Sequence, residues 1–218
     1  MFAVNQLTGF GSAEGPVYDF EVVYEDFWND GTITFPYAPG YLAIWWGAAH
    51  SGTGTAPANN APSGFTVAHT HSGVSGTGSR QSYGYKILTT GDTEQTVNAL
   101  TAAEAADNVL LVLRPKGIIT SILDTNNLAS GPTTGDPAAL TLAAPPSGPA
   151  IHLGACRTRG ATPTTSGGLK NNGVNLWTNT RGAFYYEIQT TNLTSRTWDC
   201  NAPAAQCNHL TACTIYVT

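Results

Sequence analysis

Apolar and polar side chains alternate with a period of two along much of the chain, and this pattern predicts strands. Residues 17–26 (VYDFEVVYED) place Tyr18, Phe20, Val22 and Tyr24 on one face and Asp19, Glu21, Val23 and Glu25 on the other. One face is core and the other mostly solvent. Residues 31–37 (GTITFPY) read as a second strand, and Pro39-Gly40 is a turn signal ahead of 41–49 (YLAIWWGAA), a run apolar on both faces as in the middle of a sandwich. Further strands are expected at 65–69, 81–88 (QSYGYKIL), 93–100, 108–113 (NVLLVL), 118–123, 150–157, 182–190 (GAFYYEIQT) and 212–218. Gln81, Tyr83, Tyr85 and Ile87 share a face.

Between these runs lie stretches of small residues, 50–63 and 72–79, and a Pro/Gly/Thr-rich segment, 130–149, which read as loops. Residues 99–107 (ALTAAEAAD) are the one helical candidate, read as a turn or short helix because two turns are marginal without tertiary packing. No repeat of 20 to 50 residues recurs, which argues against solenoids and propellers. The expectation is an all-β fold, an antiparallel β-sandwich that is jelly-roll-like. Residues 1–15 form an N-terminal arm and 16–218 a single sandwich domain, since no charged or Pro-rich linker divides them.

Composition sharpens this. The chain of 218 residues holds 24 Gly and 13 Pro, so turns are abundant, yet 41% of residues are hydrophobic, which separates it from disordered sequences. Only 11% are charged, against about 25% in typical soluble domains, so Thr, Ser, Asn and Gly must cover the surface. The net charge of −5 and the lack of a Lys/Arg cluster argue against nucleic acid as a partner. The longest apolar run, 41–49, falls short of the roughly 20 residues of a spanning helix, so membrane insertion is not expected. The N-terminus lacks the basic region, apolar core and cleavage site of a secretory signal, which places synthesis in a cytoplasm.

Four segments in succession carry a resemblance: PGYLAIWW (39–46), PSGFTV (62–67), YKILTTGDTEQTVN (85–98) and NVLLVLRP (108–115). Over residues 39–123 the chain resembles small bacteriophage virion proteins and phage tail or fibre modules. Those modules follow a strand with a PSGW-like turn, a YKV…GDT strand and turn, and a VLVYR-like strand. Phe65 stands here where Trp is usual, and Leu113 where Tyr is commoner. The resemblance implies an all-β virion structural component and assigns no catalytic residue. The implied partners are other virion proteins and copies of itself, a trimer being one arrangement, with the virion as location. A capsid decoration or cement role and a tail appendage role both fit. The alternative is a host-receptor or carbohydrate-binding module, with a host surface glycan as partner.

Chemical candidates are few. His69 and His71 form an H-x-H pair on one face, a spacing at which two imidazoles can share a metal, completed by threefold symmetry in a trimer; the alternative is hydrogen-bonding loop histidines. Cys200 and Cys207 flank a six-residue Pro-containing loop that a disulfide would close, with Cys156 to Cys213 as the remaining strand-to-strand option. Counting His209 with Cys200, Cys207 and Cys213 as a zinc set gives C-x6-C-x-H-x3-C, which is not a knuckle or ribbon spacing. Trp28, Trp177 and Trp198 sit in polar, loop-like segments and are candidates for stacking on sugar rings, whereas Trp45 and Trp46 read as core. Phe2, Val4, Leu7 and Phe10 make the arm apolar enough to dock on a neighbouring subunit. Asp19, Glu21, Glu25 and Asp26 read as a solvated strand face rather than a glycosidase pair. The loop 73–79 (GVSGTGS) has neither a nucleophile-elbow nor a phosphate-loop pattern. No enzyme signature and no cofactor are expected.

Overall fold

The structure, a computed structural model, describes residues 20–28, 31–34, 38–52, 54–57, 61–75, 77–92, 94–97, 105–159, 161–202 and 208–218. The arm, 1–15, lies outside them. The elements are β1 (Phe20–Trp28), β2 (Gly31–Thr34), β3 (Leu42–Ser51), β4 (Thr66–Ser75), β5 (Thr77–Ile87), β6 (Glu94–Val97), β7 (Ala105–Pro115) and β8 (Ile122–Thr133). They continue with β9 (Leu140–Leu142), β10 (Ala150–Thr158), β11 (Thr164–Ser166), α1 (Gly168–Asn172), β12 (Val174–Asn179), β13 (Gly182–Gln189), β14 (Arg196–Asn201) and β15 (Asn208–Val217).

Two five-stranded antiparallel sheets pack face to face. The first has the order β1-β7-β3-β5-β4 and the second β12-β13-β10-β15-β8. The chain fills them in succession: the strands of the first sheet end with β7 at Pro115, and every strand of the second follows it. The two central strands of the first sheet are apolar on both faces, as their sequences require. Leu42, Ile44, Trp46 and Ala48 of β3 and Val109, Leu111 and Leu113 of β7 point inward, where they meet Ile151, Leu153 and Ala155 of β10 and Cys213, Ile215 and Val217 of β15. Trp46 lies 5.7 Å from Trp177 and 5.6 Å from Phe184, ring centre to ring centre. Each large apolar side chain so buried contributes about 1.5–3 kcal/mol. The opposite face of the first sheet buries Ala43, Trp45, Leu110 and Val112.

A third layer covers the outer face of the second sheet. It consists of the three-stranded sheet β11-β14-β9 with α1 beside it, and sets Leu140, Leu142, Leu169 and Trp198 on Cys156, Ala183, Tyr185, Leu210 and Ala212. Gly154 makes the close approach possible: a Cβ there would sit 2.5 Å from Leu169 Cδ2 and 2.9 Å from the Trp198 ring.

Several expectations are corrected in detail. The small-residue stretch 72–79 is a hairpin, in which β4 and β5 pair to the end, Ser75 opposite Thr77. The segment 130–149 contains the end of β8 and all of β9. In the stretch 99–107, Ala105 to Asp107 belong to β7, where they join the ladder with His50, Ala49 and Ala48; the pairing supplies hydrogen bonds that a two-turn helix offers less well. In β1 a bulge between Val22 and Tyr24 reverses the alternation. Phe20 therefore packs on the inner core, while Val23 and Tyr24 pack on the outer one. Among the described residues, no helix is long and apolar enough to cross a membrane.

Candidate functional site

At one end of the sandwich the space between the sheets changes from apolar to polar. Antiparallel registry produces this: His50 on β3 lies opposite Ser79 on β5, and Arg157 on β10 lies opposite His209 on β15. All four are buried, with Asp107 of β7 beside them. Arg157 is ion-paired with Asp107 and donates through its other terminal nitrogen to His50 Nδ1 at 2.6 Å, while Arg181 approaches Asp107 at 3.0 Å. A buried carboxylate between two guanidiniums is the arrangement that lets charge stay in a protein interior. His50 accepts a hydrogen bond and faces cations, so burial first, and then Arg157, Arg159 and Arg181, push its pKa down to about 3. It is a neutral ring.

Next to this cluster, hydrogen bonds cross from sheet to sheet. Gln81 Nε2 donates to the His209 carbonyl at 2.6 Å, and Gln81 Oε1 accepts from Trp46 Nε1 at 3.2 Å and from Thr211 Oγ1 at 3.0 Å. The Tyr83 hydroxyl donates to the Thr211 carbonyl at 3.0 Å. His209 is held on both ring nitrogens: Nδ1 is 2.9 Å from Ser79 Oγ, and Nε2 is 2.7 Å from His71 Nδ1. Burial, with His71 and His69 nearby, brings the His209 pKa down to about 3. A serine, a histidine and a second histidine in line have the composition of a nucleophile relay. Yet Ser79 and His209 are completely buried, so in this geometry the chain of bonds joins sheets and offers no surface to a substrate.

The opposite end of the sandwich is open, with a mainly polar groove beside a mainly apolar one. One groove, about 470 Å³, runs between Thr66, Tyr85, Lys86, Ile119 and Ile122; a second, about 220 Å³, is lined by Pro39, Tyr41, Ile87, Pro115, Ile118 and Ile119. Ile118, between the two sheets in sequence, is 83% exposed. Its loop is tied to the chain end: the Thr120 and Ser121 amides donate to the Thr218 carbonyl at 2.8 and 3.0 Å, and the Thr218 amide donates back to Ser121. Lys86 is ion-paired with Asp92 at 2.5 Å. Phe20, where the described chain begins, lies opposite Pro115 on the wall of the smaller groove.

The residues singled out by sequence fall as follows. His69 and His71 do share the face of β4, but His71 is engaged with His209, and His69 stacks 6.3 Å from Tyr83. Among the described residues no group of three or more His, Cys, Asp or Glu is arranged to hold a metal ion. The expected Cys200 to Cys207 bridge is corrected: Cys200 pairs with Cys156, at a Cα separation of 6.5 Å. The reason is packing, since Cys156 faces outward from β10 under β14, while Cys213 faces the inner core as a buried thiol. Cys207 lies outside the described residues. Trp177 and Trp198 are not available for sugar stacking. The first is 7% exposed and stacks on Phe27 at 5.0 Å; the second is fully buried and donates through Nε1 to the Ala155 carbonyl at 3.1 Å. The Trp28 side chain and the arm residues Phe2, Val4, Leu7 and Phe10 lie outside the described part.

Glu21 meets Arg114 at the surface, and Glu25 accepts from the Tyr186 hydroxyl at 2.9 Å, so the strand-face carboxylates are partnered separately. Sequence reasoning missed His50, Ser79, Asp107, Arg157 and Arg181 as a cluster, and Ile118 as a rim residue. One signal was present: His50 and Arg157 each follow a largely apolar run and Asp107 precedes one, which antiparallel pairing brings to one end. Comparison with protein-family models, with curated proteins and with solved structures returned no match.

Proposed function

We propose that this protein is a structural component of a bacteriophage virion, present in many copies, that decorates or cements the capsid or builds a tail appendage by packing against copies of itself and neighbouring virion proteins. The observation that carries the reading is the rim: a loop hydrogen-bonded to Thr218 holds Ile118 out into solvent beside the smaller, mainly apolar groove lined by Pro39, Tyr41, Ile87 and Ile119. A large apolar side chain held out beside an apolar groove is a candidate contact for another protein surface. The occupant proposed for the rim is a second copy of this chain. Phe20 pairs with Pro115, a wall residue of the smaller groove, and docking of the apolar arm that precedes it in sequence on a neighbouring copy belongs to the same proposal. The resemblance over residues 39–123 points the same way, and a low surface charge lowers the desolvation cost of broad subunit contacts.

The test is incorporation. Ile118→Asp, and separately deletion of residues 1–15, should leave the isolated sandwich folded by circular dichroism while abolishing self-association in sedimentation and uptake into particles. Normal uptake of both variants would contradict the reading. With Trp177 and Trp198 buried, the carbohydrate-binding alternative gains no support from these two side chains.

A further inference from the structure

We infer that the side of the sandwich where β4 meets β8 is an acid-opened seam, with the His71–His209 pair as its latch. β4 and β8 are the terminal strands of different sheets and share no ladder, although they lie against each other. Side-chain bonds and packing close them in place of a ladder: Asn127 Nδ2 donates to the Ala68 carbonyl at 3.1 Å, the His69 ring hydrogen-bonds to the Leu128 backbone, and Gly73 packs so closely on Pro132 that a Cβ would come within 2.4 Å of its ring. The latch lies just inside. His71 of β4 reaches across to His209 of β15, which Ser79 of β5 holds from the other nitrogen.

Two neutral imidazoles at 2.7 Å share one N–H···N bond. A first proton from solvent can enter on a free nitrogen and leave that bond intact. A second puts N–H against N–H and two cations side by side, and the bond is lost. The surroundings oppose both charges on balance. His69, on the same strand face, adds a third imidazole, and Arg157 of β10 lies opposite His209 in the ladder. Arg157 is itself committed to Asp107 of β7, with Arg181 and His50 of β3 in the same cluster. Tyr83 of β5 is turned to Thr211, and Arg80 of the same strand alternates to the other face. Asp124 of β8 is a carboxylate that acts on His69, where it works against the effect of burial. Burial depresses His69, His71 and His209 alike, so each binds its proton more readily once the seam opens. Opening is therefore favoured as pH falls below about 6.5, the ordinary histidine value.

Hydrogen exchange on the full chain from pH 7.5 to 4.5 tests this. Each proton taken up raises the opening constant by about tenfold per pH unit, so with His69, His71 and His209 all titrating, amides of β4 and β8 should lose up to about a thousandfold protection per unit while β3, β7 and β10 stay protected. His71→Asn should lower that pH dependence by about tenfold per unit, since His69 and His209 still titrate, and His152→Gln, on the outer face of the second sheet, should leave it undiminished. Unchanged protection of β4 and β8 down to pH 4.5, or the same loss in His71→Asn, would overturn the inference. Should His71→Asn fail to fold, the wild-type histidine ring signals decide: titration of the pair near pH 6.5 with native protection retained would overturn it equally.

Discussion

Asp107 is completely buried between Arg157 and Arg181, with Trp46, Gln81 and His209 a few positions further along the same interface. Breaking such a pair by removing one member leaves an uncompensated charge in the interior. Asp107→Asn should therefore lower stability by about 3–5 kcal/mol, read from the midpoint of urea unfolding, and an unchanged midpoint would show that the pair is solvated. Gly154 offers a steric counterpart. Gly154→Ala drives a methyl into Leu169 and Trp198, and should cost about 1–3 kcal/mol in a thermal melt. At this scale the sequence was partly legible. Trp45 and Trp46 read as core because their strand is apolar on both faces, whereas Trp177 and Trp198 sit among Asn, Thr, Arg and Asp. Their burial comes from partners far off in the chain, Trp46 and Ala155, which no local pattern reveals.

Among the elements, the third layer depends most on a single bond. β9, β11 and β14 are short, and the disulfide from Cys156 to Cys200 fastens β14 to β10 across 44 residues of sequence. Replacing both cysteines by Ala should cost about 2–4 kcal/mol. Hydrogen exchange should then show β9, β11 and β14 losing protection first, with β3 and β7 unaffected; uniform loss across all strands would mean that the layer is not a separable unit. The strands that form the two large sheets were visible because their alternation or continuous apolarity is strong. The three-residue strands were not, since a Thr-Thr-Ser or Leu-Thr-Leu segment has too few positions to show a period. The bulge in β1 was hidden for a related reason: an extra residue shifts the phase only once the partner strand is known.

For the whole molecule, all five histidines, His50, His69, His71, His152 and His209, have pKa values lowered chiefly by burial. A depressed histidine pKa means that the unfolded chain binds more protons in acid. The stability that these rings contribute is fully present above about pH 6.5 and is lost as pH falls toward the folded values, about 3 for His50 and His209. Urea midpoints should hold from pH 7.5 to about 6.5 and fall from there to 4.5, and a flat profile throughout would show the rings to be solvated. The all-β sandwich itself was legible from periodicity. That the sheets are filled one after the other, leaving a polar closure at one end and an open rim at the other, was not, because it depends on which strand ends meet in space.

The rim and the resemblance together make assembly the proposed role, and direct counting tests it. Quantitative mass spectrometry of purified particles of a phage encoding this chain should find it at tens to hundreds of copies per particle, and a density map should place the Ile118 end against a neighbouring subunit. Absence of the chain from purified particles would contradict the account.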